Sequence, residues 1–288
     1  MWRRLERKGM EKKYKEIKKL GEGATAKVYL VEEIASGKVY AMKKSEKVAV
    51  LQQEAQILNR LTGEGFPKLK EYAGKCLVMD YIEGKNLQEI LEEGKRFSIK
   101  EIVFLMEEVL HLLSVLHRQE PPIVYRDMKP ANILISRKGK VHLIDMGAVY
   151  SRENKEHDDE KKGMMAGTYG YAAPEQFWNG VVPDIRCDIY AAGKVLAYLL
   201  SGKNPAVPPY DMENYCKGLS RIPGEFLMII ERSLARNPEA RYETCTSMMR
   251  DLRLAYEAYS RKRLFKLHKK VSHEYIKCIW LSEYRRIF

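Results

Sequence analysis

Four stretches of this chain carry side chains whose types and spacing suit phosphate chemistry. The densest is Tyr125-Arg126-Asp127-Met128-Lys129-Pro130-Ala131-Asn132, placed just ahead of the apolar run Ile133–Ile135. A carboxylate in such a loop can accept a hydroxyl proton. An ammonium group two residues on can neutralise a moving phosphoryl group, and an amide oxygen five residues on can ligate Mg²⁺. Farther along, Asp145-Met146-Gly147 closes a second apolar run, where a carboxylate on a glycine turn is a natural second metal ligand. Lys43 ends Tyr40-Ala41-Met42-Lys43. A lysine grips two phosphate oxygens only if a carboxylate fixes its ammonium group. Glu54 suits that task better than Glu46, which lies too near in sequence to reach back from a helix. The fourth stretch, Gly21-Glu22-Gly23-Ala24-Thr25-Ala26-Lys27-Val28, would let backbone amides approach phosphate oxygens closely. Each stretch alone has a bland reading as surface lysine, hairpin turn or solvated loop. Their joint order and spacing have none.

These groups need elements to hold them. Short runs rich in Val, Ile, Leu and Tyr predict strands over 14–20, 26–32, 38–43, 68–72 and 75–81. One helix interrupts them, because Val48, Leu51, Ala55, Leu58 and Leu61 recur at spacings of three and four. After Gly84 the period turns helical. Ser98-Ile99-Lys100-Glu101 reads as a capping box, and Ile102, Met106, Val109, Leu113 and Leu116 form the apolar face behind it. Ile133–Ile135 and Val141–Ile144 flank a short hairpin, and helices resume from Ile185. The expected fold is α+β and two-lobed: an antiparallel sheet with one main helix over about 14–81, a hinge near 80–86, and a larger helical lobe over 87–260.

Three further stretches complete a recognisable series: Gly167-Thr168-Tyr169-Gly170-Tyr171-Ala172-Ala173-Pro174-Glu175, Asp188 at the head of an apolar helix, and Asn237-Pro238-Glu239-Ala240-Arg241. With them the chain resembles the protein kinases, specifically the bacterial eukaryotic-like (Hanks-type) Ser/Thr kinases, over roughly residues 14–256. The resemblance implies a Ser/Thr protein kinase that uses ATP with Mg²⁺, Mn²⁺ being an acceptable substitute. Gly21 to Val28, with Glu22, Gly23, Ala24, Thr25 and Ala26, would cover the ATP phosphates. Lys43, held by Glu54, would contact two of them. Met79 would be the gatekeeper and the backbone of Asp80 and Ile82 would bind adenine, sandwiched by Val28 and Ala41 above and Leu134 below. Asn86 takes the ribose side. Asp127 would orient the substrate hydroxyl and take its proton, Lys129 would meet the γ-phosphate, and Asn132 and Asp145 would hold the metal. Arg126, Met146, Gly147, Thr168, Asp188 and a Glu175–Arg241 ion pair would be structural or regulatory.

Departures from the pattern are Tyr125 for the usual histidine, Met146 for phenylalanine, Ala26 for the third glycine, and only eleven residues between Lys43 and Glu54. None removes a group that handles phosphate or metal. Two rival readings stay open at this stage: a pseudokinase that keeps the fold as a scaffold, and a small-molecule kinase of related architecture. Lys129 and Thr168 point to Ser/Thr rather than Tyr as acceptor, and Ala131 argues against a strong preference for Arg-rich sites. Between Gly147 and Gly167 the one Ser/Thr hydroxyl is Ser151, and Asp158-Asp159-Glu160 could stand in for a phosphate at Arg126.

The formal charge of +12 sits at the two ends of the 288 residues. Residues 1–19 carry +6 and 261–288 carry +7, which leaves the body almost neutral. Nucleic acid is therefore not expected as the main partner, since a binding domain shows its basic patch on the folded surface. Residues 1–13 read as a basic leader. In 261–288 an apolar stripe (Leu264, Leu267, Val271, Tyr275, Cys278) runs opposite a basic one (Lys262, Lys266, Lys269, His273, Lys277). Such a helix suits an anionic membrane or an acidic partner, while its apolar stripe also suits packing on the helical lobe with the lysines facing water. Partial docking is expected, packed around Leu264 and open to a partner beyond Tyr275. The start of the chain lacks the apolar core of a secretory signal, and five scattered cysteines read as buried thiols. The expected location is cytoplasmic, with the C-terminal segment as the means of any membrane association.

Overall fold

In the computed structural model, residues 10, 12–23, 25–151, 167–178, 180–206 and 222–263 are described. The segments 152–166 and 264–288 fall outside them, and so do the acidic run at 158–160 and nearly all of the basic C-terminal stripe.

Five antiparallel strands form the first sheet: β1 (Tyr14–Glu22), β2 (Lys27–Glu33), β3 (Val39–Lys44), β4 (Leu69–Ala73) and β5 (Cys76–Asp80), in the order β1-β2-β3-β5-β4. Strand alternation then decides which side chains face the rest of the molecule. Ala41, Leu77 and Met79 belong to the main core, while Met42 and Val78 turn the other way into a small cluster with Tyr14, Val31 and Cys76. Lys43 shares the face of Ala41. On α1 (Val48–Arg60), Leu51, Glu54, Ala55 and Leu58 lie on one buried stripe at spacings of three and four. That stripe packs towards the sheet, so period two in β3 and period 3.6 in α1 point Lys43 and Glu54 at each other.

The second lobe begins with a strand that the sequence pattern does not announce. β6 (Gly84–Asn86) pairs with β7 (Ile133–Ser136), which pairs with β8 (Val141–Leu143). Part of the expected hinge is therefore strand; three residues are too few to show alternation. The Asn86 side chain caps α2 (Leu87–Glu92), accepting from the Glu89 N–H at 3.0 Å while the Glu89 carboxylate accepts from Asn86 N–H at 2.9 Å. The same reciprocal cap opens α3 (Ile99–His117), with Ser98 accepting from Glu101 N–H at 3.2 Å and Glu101 from Ser98 N–H at 2.7 Å. An N-cap of this kind stabilises a helix by about 1 kcal/mol.

The apolar face of α3 is wider than the sequence stripe. Val103, Leu105, Leu110 and Leu112 are buried along with the expected five positions, so the buried face is broad, and Lys100, Glu101, Phe104 and His111 line the exposed edge that remains. It packs against β8 and against α4 (Arg186–Ser201), which in turn packs against α5 (Gly224–Ser233). A last helix, α6, covers 245–263 within the described residues. One core cluster runs from Ala41 in the sheet through α3 and α4 to Ala255. No helix among the described residues is long and apolar enough to cross a membrane.

Candidate active site

Lys43 sits between two carboxylates. Its Nζ lies 2.7 Å from Glu54 Oε2 and 2.6 Å from Asp145 Oδ1. Burial pulls the pKa of this ammonium group down, but the two carboxylates outweigh it and push the value up to about 12. The Glu54 carboxyl is raised by its own burial, against the pull of Lys43. Asp145 is the most open of the three; its surroundings favour the neutral acid, yet Lys43 and the Gly147 N–H hold it below the usual carboxylate range.

This crowding favours glycine at 147. A Cβ there would stand 3.0 Å from Asp145 Oδ1 and 3.2 Å from Lys43 Nζ. The neighbouring Met146 fills the phenylalanine position with a wholly buried side chain. Its N–H donates to Glu54 Oε1 at 3.1 Å. Gln53, one residue earlier on α1, donates to the Val149 carbonyl at 2.8 Å. The helix thus grips the segment after Asp145 at two points.

The second cluster is the 125–132 loop. Asp127 Oδ1 accepts from the Thr168 hydroxyl at 2.7 Å, and Thr168 in turn accepts from Lys129 Nζ at 2.8 Å. Lys129 also stands 2.8 Å from Asp127 Oδ2. Asn132 Nδ2 donates to the Asp127 carbonyl at 2.8 Å and to Oδ2 at 3.1 Å. Below, Asp188 at the start of α4 accepts from Tyr125 N–H at 2.8 Å and Arg126 N–H at 2.7 Å. Tyr125 is buried and its hydroxyl donates to the Ile144 carbonyl, so this phenol links the loop to the strand end that carries Asp145. Burial also drives its pKa well above the ordinary value, keeping it a donor. Arg126 and Asp145 have φ of 68° and 67°, left-handed backbone that costs a non-glycine residue about 1–2 kcal/mol. Arg126 adjoins Asp127, and Asp145 is itself an expected metal ligand.

Other expected positions fall around the same cleft. Val28 pairs with Lys43 across β2 and β3, and Ala41 pairs with Met79 across β3 and β5. Leu134 lies on β7 below, Asp80 ends β5, Ile82 follows it, and Asn86 is engaged as a helix cap. The Thr25 carbonyl accepts from the Ser45 hydroxyl at 2.5 Å, fastening the glycine turn to β3, whereas Ala24 lies outside the described residues. Gly21 has open space for a Cβ, and at Gly23 the nearest neighbour of one would be 3.9 Å away. The turn's own packing does not demand glycine at either position. Farther down, Arg241 forks onto Glu175 at 2.5 and 2.8 Å, with the arginine side chain fully buried.

The donor set fits a hard, oxygen-seeking cation bound with phosphate. Asn132 spends its amide nitrogen on Asp127 and keeps its carbonyl oxygen, while Asp145 meets Lys43 and Gly147 with Oδ1 and keeps Oδ2. Among the described residues no cluster of three or more His, Cys, Asp or Glu could hold a metal alone. A Mg²⁺ ion, which keeps water and phosphate oxygens in its shell, needs no such cluster.

Sequence reading passed over the bridging role of Gln53 and that of Gln176, whose amide donates to the Arg126 carbonyl at 2.8 Å and accepts from Ala173 N–H at 3.0 Å. An isolated glutamine on a helix has no periodic signature that could have exposed either.

Comparison with known proteins agrees with this geometry. The protein kinase domain family model matches residues 14–276. Serine/threonine-protein kinase PrkC of Bacillus subtilis is 28% identical over 271 residues, which cover 85% of this chain and 41% of PrkC. Serine/threonine-protein kinase PknL of Mycobacterium tuberculosis is 28% identical over 271 residues, covering 86% of this chain and 67% of PknL. The probable serine/threonine-protein kinase PknB of Corynebacterium glutamicum is 29% identical over 204 residues, 64% of this chain and 30% of that protein. The chain thus spans less than half the length of PrkC and PknB. With nearly its whole described body inside the family match, the chain belongs to the protein kinase domain family.

Proposed function

We propose that this domain transfers the γ-phosphoryl group of ATP to Ser/Thr hydroxyls of proteins, its own included. The observation that supports this best is the single assembled constellation of Lys43, Glu54, Asp145, Asp127, Lys129 and Asn132. In this reading Lys43, braced by Glu54, orients the nucleotide phosphates. Asp127 aligns the acceptor hydroxyl and takes its proton, exchanging its Thr168 contact for that hydroxyl. Lys129 offsets charge on the transferring group. Asn132 and Asp145 hold Mg²⁺, which when bound would draw charge from the phosphates and fix their geometry. The domain spans about 14–260, and the segment 261–288 is the surface for an anionic membrane or an acidic partner. Relatives named serine/threonine kinases support the choice of acceptor.

The test is mass spectrometry of the purified chain and of a generic Ser/Thr protein substrate before and after incubation with Mg-ATP, beside the Asp127→Asn variant. Mass increments of one phosphate that appear with the wild type and not with the variant are expected. No increment in either would overturn the reading.

A further inference from the structure

The ladder between β2 and β3 runs from Glu32 and Val39 to Lys27 and Lys44, and it stops there. The chain just before Lys27 is the glycine turn. Within it the Gly23 N–H donates to the Ala26 carbonyl at 2.9 Å, a bond that closes the turn on itself and ties it to nothing else. Ser45, one step past the last pair, supplies a tie to the rest of the sheet. Its hydroxyl donates to the Thr25 carbonyl at 2.5 Å.

Ser45 is itself firmly placed. It is buried, and its N–H donates to the Lys75 carbonyl at 3.0 Å, in the turn between β4 and β5. Its Oγ also accepts from the Lys47 N–H at 3.0 Å. That second bond is the local kind by which serine opens a helix, and alone it would leave the hydroxyl proton free to choose its acceptor. The proton goes to Thr25, twenty residues away in sequence. Three residues separate β3 from α1, so the side chain that holds the turn also holds the entry to the helix carrying Glu54. A trans peptide points its C=O and N–H in opposite directions, and anchoring the Thr25 carbonyl therefore fixes where the Ala26 N–H points. Ala26 narrows the freedom of the turn further, since alanine has fewer backbone conformations than the glycine of the family pattern.

We infer that Ser45 is a positioning residue for the nucleotide: its hydroxyl holds the glycine turn where the amides of that turn would meet the ATP phosphates. The inference rests on the kinase reading above. A turn held in place beforehand does not have to be ordered by its ligand, so more of the interaction appears as affinity. Without the hydroxyl the turn is left with its own internal bond, and binding must order it. Loss of one such hydrogen bond corresponds to about three- to tenfold in a binding constant. The tie acts on the part of the roof assigned to the phosphates. It should therefore matter to ATP and not to adenosine, which has none.

The test compares Ser45→Ala, which removes the hydroxyl, with Ser45→Thr, which keeps it. The readouts are dissociation constants for Mg-ATP and for adenosine, KM for Mg-ATP and kcat with a Ser/Thr peptide, amide hydrogen exchange at residues 25–28, and melting temperature. Ser45→Ala is expected to weaken Mg-ATP binding and raise its KM about three- to tenfold, with adenosine affinity and kcat within about twofold of wild type. Exchange at Ala26 and Lys27 should quicken in the same variant. Ser45→Thr is expected to stay within about twofold of wild type in each binding readout. Ser45→Cys, whose thiol is a weaker donor of similar shape, is expected to fall between the two. Unaltered Mg-ATP binding in folded Ser45→Ala, equal losses for ATP and adenosine, or equal losses in the alanine and threonine variants would overturn the inference. A wild type that binds no nucleotide strikes instead at the kinase reading, and amide exchange in the turn then decides the role of Ser45 by itself.

Discussion

Glu54 serves Lys43 with one carboxylate oxygen and the Met146 backbone with the other, at 2.7 and 3.1 Å. One buried side chain thereby sets both the orientation of Lys43 and the placement of the turn after Asp145. Glu54→Gln keeps the shape but removes the charge that fixes Lys43, which then leans on Asp145 alone. Phosphoryl transfer should fall about 10²-fold, measured as kcat/KM. Glu54→Ala removes one partner of a buried ion pair and should also destabilise the domain by about 3 kcal/mol in urea unfolding.

Asp127→Asn should separate binding from chemistry. The amide cannot take the acceptor proton, so kcat should fall by about 10³-fold or more while ATP affinity stays within about twofold. Asp145→Asn should weaken Mg²⁺-dependent nucleotide binding as well, because it removes charge from a proposed metal ligand. Titrating a fluorescent nucleotide with and without Mg²⁺ distinguishes the two. Near wild-type turnover by Asp127→Asn would dismiss its assigned role.

The ion triad also has a pH signature. Lys43 binds its proton more tightly in the folded state, so the stability it adds is complete below its ordinary pKa of 10.5 and is lost as pH rises through about 12. Asp145 is held low, so its contribution is complete above 3.8 and drains away as pH falls below that value. Melting temperatures of wild type and Lys43→Met should therefore converge over pH 10.5–12. Those of wild type and Asp145→Asn should converge under acid. Parallel curves would show that neither contact matters to folding.

Arg241→Lys should not pass as conservative. The guanidinium meets both oxygens of Glu175 and also donates to the Ala235 carbonyl at 2.8 Å, all in the interior. One ammonium group cannot reproduce that fork. A loss of about 2–4 kcal/mol in chemical denaturation is expected, with further loss in Arg241→Ala. A change under about 0.5 kcal/mol would mean that the pair is replaceable.

Much of this arrangement was legible in the sequence, and the reasons are local. Alternation in Tyr40-Ala41-Met42-Lys43 and the three-four spacing from Leu51 to Leu58 set the faces on which Lys43 and Glu54 lie, so their meeting follows from two periods. The Ser98 cap needs only three neighbours, and it forms as the sequence predicts. β6 was hidden because its pairing with β7 joins segments about fifty residues apart without any periodic mark. Ser45 was hidden for a related reason: its partner, the Thr25 carbonyl, is a backbone group on another strand connection, and no spacing of side-chain types marks it.

Strand β1 has a consequence of another kind. After Tyr14 every residue of it is exposed, Ile17 and Leu20 included, and β2 is its one neighbour in the sheet. Past Tyr14, the ladder of backbone bonds to β2 is joined only by exposed ion pairs, Glu16 with Lys44 and Glu22 with Lys27, which add little, so the free energy needed to lift it locally should be far below that of unfolding the molecule. Amides of 15–22 should therefore exchange in a fraction of the time taken by those of α3 or α4. With the 21–28 turn over the ATP phosphates, as the kinase resemblance implies, such opening would admit and release the nucleotide while α3 and α4 stay closed.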